Sequence, residues 1–381
     1  MCLAAAAPTA ALADEQAVVW SATYKLDALG LAQKGVPTKV SNLDSLDVSV
    51  DIDLARLGGM RDASIHIEGL NTSGQTPGAR ASVLQGVDDI EAGHRHARLY
   101  QAWFEKGLDA QGSSLRLGFL DPTGEFATAD SAAWLVAPAF GAPAEYAASG
   151  PNGAPSFPSS SLQARLKLQL SKDIYAKAAI ADAHAGAFGD PGGADFSFRD
   201  GVLGLWEVGW TGVGKVAVGG WAFSKHEPAL GRPDGNRAQY GAYFVVDQPL
   251  GRLSPALAPV SAFVRAGLAD GDTTPIGAAA IFGVTVKPAT PARPDSVVSL
   301  GFSHGALTSG FRAAPLLSWQ RAGRKEDLIE LSYSDKVTSF ARLQPMLQFA
   351  PTPSGSAPHR SLVVLGIRLS IAWDNLRRKS G

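Results

Sequence analysis

The segment that most constrains this chain is Leu362 to Trp373 (LVVLGIRLSIAW), where Leu365, Ile367, Leu369, Ile371 and Trp373 alternate with Gly366, Arg368, Ser370 and Ala372. A period of two predicts a strand with one wholly apolar face and an opposite face carrying arginine. A strand between lipid and water needs that division, although a soluble edge strand can carry it too.

A membrane helix requires roughly 18 or more uninterrupted apolar residues. The best stretch, Val202 to Phe223, is broken by Glu207, Lys215 and several glycines. If the chain sits in a membrane it must therefore close into a barrel, since only helices and barrels satisfy every backbone group in lipid. Composition agrees, because 42 Gly, 24 Pro and only 18% charged residues favour turns and short strands over long helices. A formal net charge of -1 gives no overall attraction to nucleic acid, and no such partner is expected. Cys2 is the single cysteine, so an internal disulfide and a cysteine-based zinc site are both excluded.

Residues 1–13 read as the remnant of a secretory signal peptide, apolar and rich in alanine, with Ala11-Leu12-Ala13 before Asp14 fitting the small-x-small cleavage rule. Residues 14–373 then form one β-barrel domain, and 374–381 (DNLRRKSG) form a short tail.

The same alternation recurs along the chain. Val48, Val50, Ile52 and Leu54 oppose Asp47, Ser49, Asp51 and Asp53, and after a turn at 58–62 Ile65 and Ile67 oppose His66 and Glu68. Leu162, Ala164, Leu166, Leu168 and Leu170 oppose Gln163, Arg165, Lys167 and Gln169. Trp206, Val208 and Trp210 share a face before the turn 211–214, as suits aromatic residues at a membrane interface. Arg265 opposes Val264 and Leu268, and Glu330 opposes Ile329 and Leu331. A soluble sandwich would turn the charged faces to solvent, whereas a barrel in lipid turns them inward. Two aperiodic stretches, Asn71 to Ala97 and Asp121 to Ser160, read as loops of a length usually reserved for function.

Motifs for catalysis or metal binding are weak. Gly301-Phe302-Ser303-His304-Gly305 fits G-x-S-x-G, but no helical period follows between Gly305 and Pro315 as a nucleophile elbow requires. His94-x-His96 lacks a carboxylate cluster, and Asp270-Gly271-Asp272 lacks the glycine and distal glutamate of a calcium loop. No catalytic residue, metal or cofactor is expected.

The chain resembles the carbohydrate-selective porins of bacterial outer membranes. The resemblance rests on Arg98-Leu99-Tyr100-Gln101-Ala102-Trp103-Phe104-Glu105, on Leu115-Arg116-Leu117-Gly118-Phe119-Leu120-Asp121 with Glu125-Phe126, and on Phe140-Gly141. It continues through Gly219-Gly220-Trp221, Gly241-Ala242-Tyr243, Asp247-Gln248, Phe263-Val264-Arg265-Ala266-Gly267 and Arg293-Pro294-Asp295. Glu330-Leu331-Ser332-Tyr333, Gln344-Pro345, Gln348-Phe349 and Gly366-Ile367-Arg368 complete it. The resemblance implies a transmembrane antiparallel barrel of about sixteen strands, with short periplasmic turns and longer external loops, through which sugars diffuse passively. It also implies a final aromatic residue, and the extension beyond Trp373 departs from that pattern.

A sugar channel needs hydrogen-bonding groups in series, each weak enough to release its ligand. Candidates for the lumen are Arg116, Arg165, Lys167, Arg265, Arg368, Asp47, Asp51, Glu68, Glu105 and Glu330, with Trp103 as a stacking platform. The plainer reading is that inward positions of any water-filled barrel are polar. Expected partners are mono- or oligosaccharides, outer-membrane lipid and lipopolysaccharide, and the barrel assembly machinery during insertion. An exposed apolar face serves lipid and subunit contact equally, so a homo-oligomer stays open. The alternatives are a general small-solute porin, an outer-membrane barrel enzyme and a soluble periplasmic β module.

Overall fold

The computed structural model describes residues 16–93, 96–186, 196–232, 235–313, 323–353 and 360–376. The signal remnant, His94 and most of the tail after Trp373 lie outside the described residues.

Alternation becomes strand throughout. The first five strands are β1 (Val18–Gln33), β2 (Lys39–Asp53), β3 (Ala63–Gly74), β4 (His96–Gly107) and β5 (Ser114–Leu120). After a long loop come β6 (Ser161–Gln169), β7 (Ile174–Asp182), β8 (Val202–Trp210) and β9 (Lys215–Phe223). A small ribbon of β10 (Glu227–Pro228) and β11 (Asn236–Arg237) precedes β12 (Tyr240–Pro249) and β13 (Val260–Ala269). The remaining strands are β14 (Ile276–Val286), β15 (Val297–Leu307), β16 (Lys325–Lys336), β17 (Ala341–Ala350) and β18 (Leu362–Asp374). Apart from the ribbon, each strand pairs with its sequence neighbours, and β1 pairs with β18, so sixteen strands among the described residues close one antiparallel barrel. Among those residues no helix is long and apolar enough to cross a membrane.

The faces follow the sequence pattern. In β18, Leu365, Ile367 and Trp373 are exposed on the outside while Arg368 is buried inside. Trp206, Val208 and Trp210 of β8 are exposed while Glu207 is fully buried. The termini lie at the end with the short turns, such as 170–173 and 211–214, and the long connections lie at the other. That asymmetry places the short turns on the periplasmic side.

Several boundaries differ from the sequence expectation. β3 runs to Gly74, beyond Leu70, because Leu43 to Asp47 of β2 offer ladder partners for Leu70 to Gly74. Leu54 falls in the turn after β2. One helical turn at Ser309–Ala313 occupies a region where no helix is predicted, but Ser303 sits mid-strand in β15, six residues earlier. Its hydroxyl donates to Gln85 Oε1 at 2.5 Å. Asp270 forms an ordinary turn, accepting from the N–H groups of Asp272 and Thr273 at 2.9 and 2.8 Å.

Candidate functional site

Two long connections fold into the barrel and are tied to the wall by inward polar side chains. The first covers residues 75–93. Glu326 accepts the Leu84 and Gln85 N–H groups at 3.0 and 2.8 Å, and Gln348 Nε2 donates to the Val87 carbonyl at 2.8 Å. Arg368 forks onto Asp27 of β1 at 2.6–3.0 Å and also reaches Asp88 at 3.3 Å and Asp89. Burial, reinforced by Asp27, raises the Asp88 carboxyl well above the usual range. Burial opposes ionisation of Asp89 too, but there the guanidinium prevails and holds it down to about 2. Asp27, Asp88 and Asp89 place three carboxylate oxygens within 4.8 Å of one another, an arrangement that could hold a metal. Arg368 supplies the counter-charge at that point.

The second connection, residues 121–160, leaves the wall early because β5 has only seven residues. It crosses the lumen on a series of anchors. Arg116 and Arg165 meet Glu125 at 2.5 and 2.7 Å. Fully buried Glu207 accepts the Ala127 N–H at 2.8 Å and is met by Tyr175, Tyr243 and Lys177 at 2.7–2.9 Å. Lys215 donates to the Thr128 carbonyl at 2.9 Å, and Asp247 accepts from Ser131 N and Oγ at 2.8 and 2.6 Å. Ser332 Oγ and Gln344 Nε2 both reach the Trp134 carbonyl at 2.7 Å. Glu330 then accepts the Val136 and Ala137 N–H groups at 2.6 and 2.8 Å. Arg265 donates to the carbonyls of Ala127, Ala139, Phe140 and Gly141 at 2.5–3.4 Å. A buried peptide group left without a partner is costly, so each anchor fixes the loop in place.

The sequence candidates all face the lumen, but they separate into distinct environments. Arg265, Glu330 and Arg368 are buried under the two loops. Glu105, Arg116 and Arg165 form a lattice in which Glu105 meets Arg116 at 2.7 Å and Arg165 at 2.9 Å. Asp51, His66 and Glu68 form a row along β2 and β3, with His66 Nδ1 2.7 Å from Asp51, and Gln101 donates to Glu68 at 2.7 Å. Asp47 lies just above and accepts weakly from Ser45 at 3.4 Å. Lys167 faces Lys177 across the β6–β7 ladder and makes no ion pair among the described residues.

Trp103 differs from the open platform expected of it. His66 stacks on one face with centroids 4.9 Å apart, and the Arg116 guanidinium lies 3.8 Å from the ring centroid. These partners come from β3 and β5, on opposite sides of β4, so both faces are covered. A bulge at Tyr100 makes this possible: Tyr100 and Arg98 point inward above it, and Gln101, Trp103 and Glu105 point inward below it.

Sequence reasoning missed Glu125, Glu207, Asp247 and Glu326. Glu207, Asp247 and Glu326 share the inward phase of their strands, which was the available signal. Glu125 stands in the aperiodic loop, where its one signal was its place among the segments that carry the family resemblance.

A family model described as carbohydrate-selective porin, OprB family, matches residues 38–373. The chain belongs to the OprB family of carbohydrate-selective porins. The high-pH structure of Pseudomonas putida OprB superposes with a TM-score of 0.81 at 15% identity, covering 97% of each chain. The low-pH structure of the same protein gives 0.58 at 14% identity, covering 96% of this chain and 95% of the other. The trimer form of Vibrio cholerae OmpT gives 0.53 at 13% identity, with coverage of 94% and 100%. No curated protein sequence matches the chain. As an OprB-family porin the protein resides in the bacterial outer membrane, where it is a channel for passive, carbohydrate-selective diffusion.

Proposed function

We propose that sugars cross this OprB-family porin along the β2–β5 wall, past Asp51, His66, Glu68, Gln101, Glu105 and Arg116, with Glu125 on the opposing loop. The observation that carries this reading is the division of the inward charges. Those on β8 to β18 are largely taken up by loop backbone, whereas Asp51 bonds His66, and Glu68 accepts from Gln101 and lies 3.6 Å from His66. Carboxylates that accept and a guanidinium that donates then line one side of the path, and sugar hydroxyls can do both. Each contact is shared with a wall neighbour, which keeps it weak enough for release.

The outward apolar bands are the surface for lipid and lipopolysaccharide, and a homo-oligomer is the arrangement to test by cross-linking. Residues 1–13 act as a discarded export signal and 374–381 as a periplasmic tail in this reading. Single-channel recording in planar bilayers, with glucose and larger sugars added, tests the path. Sugar-dependent block that Asp51→Asn and Arg116→Ala alter supports it. Stable pores indifferent to every sugar would instead mean general solute diffusion.

A further inference from the structure

We propose that a second copy of this chain docks on the outer face of β2 and β3, where Asn42, Asp44, Asn71 and Ser73 bond across the contact. This rests on the homo-oligomer reading above and goes beyond it by naming the face. Most outward rows are apolar, as Leu365, Ile367 and Trp373 of β18 show. On β2 and β3 the row changes character part-way. Towards the extracellular end Leu46 and Val48 give way to Asp44 and Asn42, and Ile65 and Ile67 give way to Asn71 and Ser73. The four polar residues share the outward phase, because Leu43, Ser45, Leu70 and Thr72 that alternate with them are buried inside the barrel.

The ladder sets the depth of this patch. Asp44 faces Leu26 of β1, and Leu26 faces Leu369, which lies within the apolar row of β18. A carboxylate and two amides at that depth are costly against lipid, since acyl chains offer no hydrogen bonds. Ser73 Oγ donates to Asp44 Oδ2, but the side-chain amides of Asn42 and Asn71 make no hydrogen bond among the described residues. The outward pair on β15 and β16 differs in this respect. There His304 meets Asp327 at 2.6 Å and Lys325 meets it at 2.7 Å, so the charges are satisfied within one chain. Lipopolysaccharide suits the β2–β3 patch poorly, because its phosphates and Asp44 carry the same sign of charge. A second copy suits it well. Amides that donate and accept, set beside a carboxylate that accepts, are complementary to themselves, as a closed symmetric contact requires. Ala28 and Gly30, outward on β1 beside Asn42 and Val40, leave the neighbouring wall low enough for close approach.

Cross-linking in native outer membranes tests the face. Asn71→Cys should give a dimer band with a short bis-maleimide, whereas Val264→Cys, outward on β13 across the barrel, should give none. In mild detergent, Asp44→Leu combined with Asn71→Leu should lower the light-scattering mass from oligomer to monomer. Heat-modifiable gel mobility and sugar block should stay as in wild type, which shows that the barrel itself is intact. An oligomeric mass with no Asn71→Cys product overturns this face and leaves the homo-oligomer standing. Equal cross-linking at positions 71 and 264, or an oligomer that the double leucine variant leaves whole, overturns it too. A monomeric wild-type mass with no product at either position removes the homo-oligomer and the face together.

Discussion

The wall under the loops and the wall of β2–β5 are made from the same strand chemistry, yet their charges do opposite things. Glu330, Glu207 and Arg265 are buried and bonded to loop peptide groups. Asp51, with a side chain 56% exposed, bonds sideways to His66 and faces water. An inward charge is thus a structural anchor where a loop reaches it and, in the path proposed above, a contact for solute where none does. Strand sequence fixes the direction of the side chain, and the loop decides its use.

The largest effect should come from removing an anchor. Glu330→Ala leaves the Val136 and Ala137 N–H groups without their acceptor, at roughly 1–3 kcal/mol each. The loop should loosen, raising single-channel conductance and open-channel noise. Arg265→Ala should act in the same direction, since four carbonyls lose their donor. If either variant conducts like wild type with unchanged noise, the loop is held by other means and the comparison breaks.

Arg116→Ala should change sugar block several-fold while the barrel still folds, as read by heat-modifiable gel mobility, because it opens one face of Trp103 and leaves Glu105 and Glu125 to Arg165 alone. A smaller change is expected for Asp51→Asn: a modest shift of ion selectivity towards anions, read from the reversal potential in a salt gradient, with conductance nearly constant. A large change in conductance would show that Asp51 supports the wall.

The smallest effect concerns pH. Glu145 lies in the inward loop, fully buried beside Arg265, and burial pushes its carboxyl from the ordinary 4.5 up to about 7. A raised acid binds its proton more tightly in the docked loop, so docking is strongest below about pH 4.5 and weakens as pH rises through about 7. Glu145→Gln should flatten that dependence in hydrogen exchange of residues 138–148. An unchanged pH profile would assign the dependence to another group.

Much of this fold was legible because a barrel wall in lipid enforces a period of two. Leu162 to Gln169 and Leu362 to Trp373 could be assigned to faces from residue type alone. The site was only half legible. Arg265 and Glu330 share the inward phase of their strands, but nothing in those strands tells that residues more than a hundred positions away would cover them. Trp103 was less legible for a related reason: its two covering groups come from the neighbouring strands β3 and β5, which its own segment does not reveal. Trp134 carries no periodic signal, since its loop takes its shape from the anchors it meets.

The seam between the first and last strands also governs how the barrel is made. β1 and β18 pair from Ser21 with Asp374 through Gln33 with Leu362, and Asn375 clasps Trp20 with its side chain and backbone. Joining points so far apart along the chain costs roughly 5 kcal/mol of ring-closure entropy, recovered only when the whole run of ladder bonds forms. Until the last strand is delivered, both edges stand unpaired in a medium that offers them no water. Closure is therefore all or none, and the delivery of β18 decides whether any of the earlier wall survives.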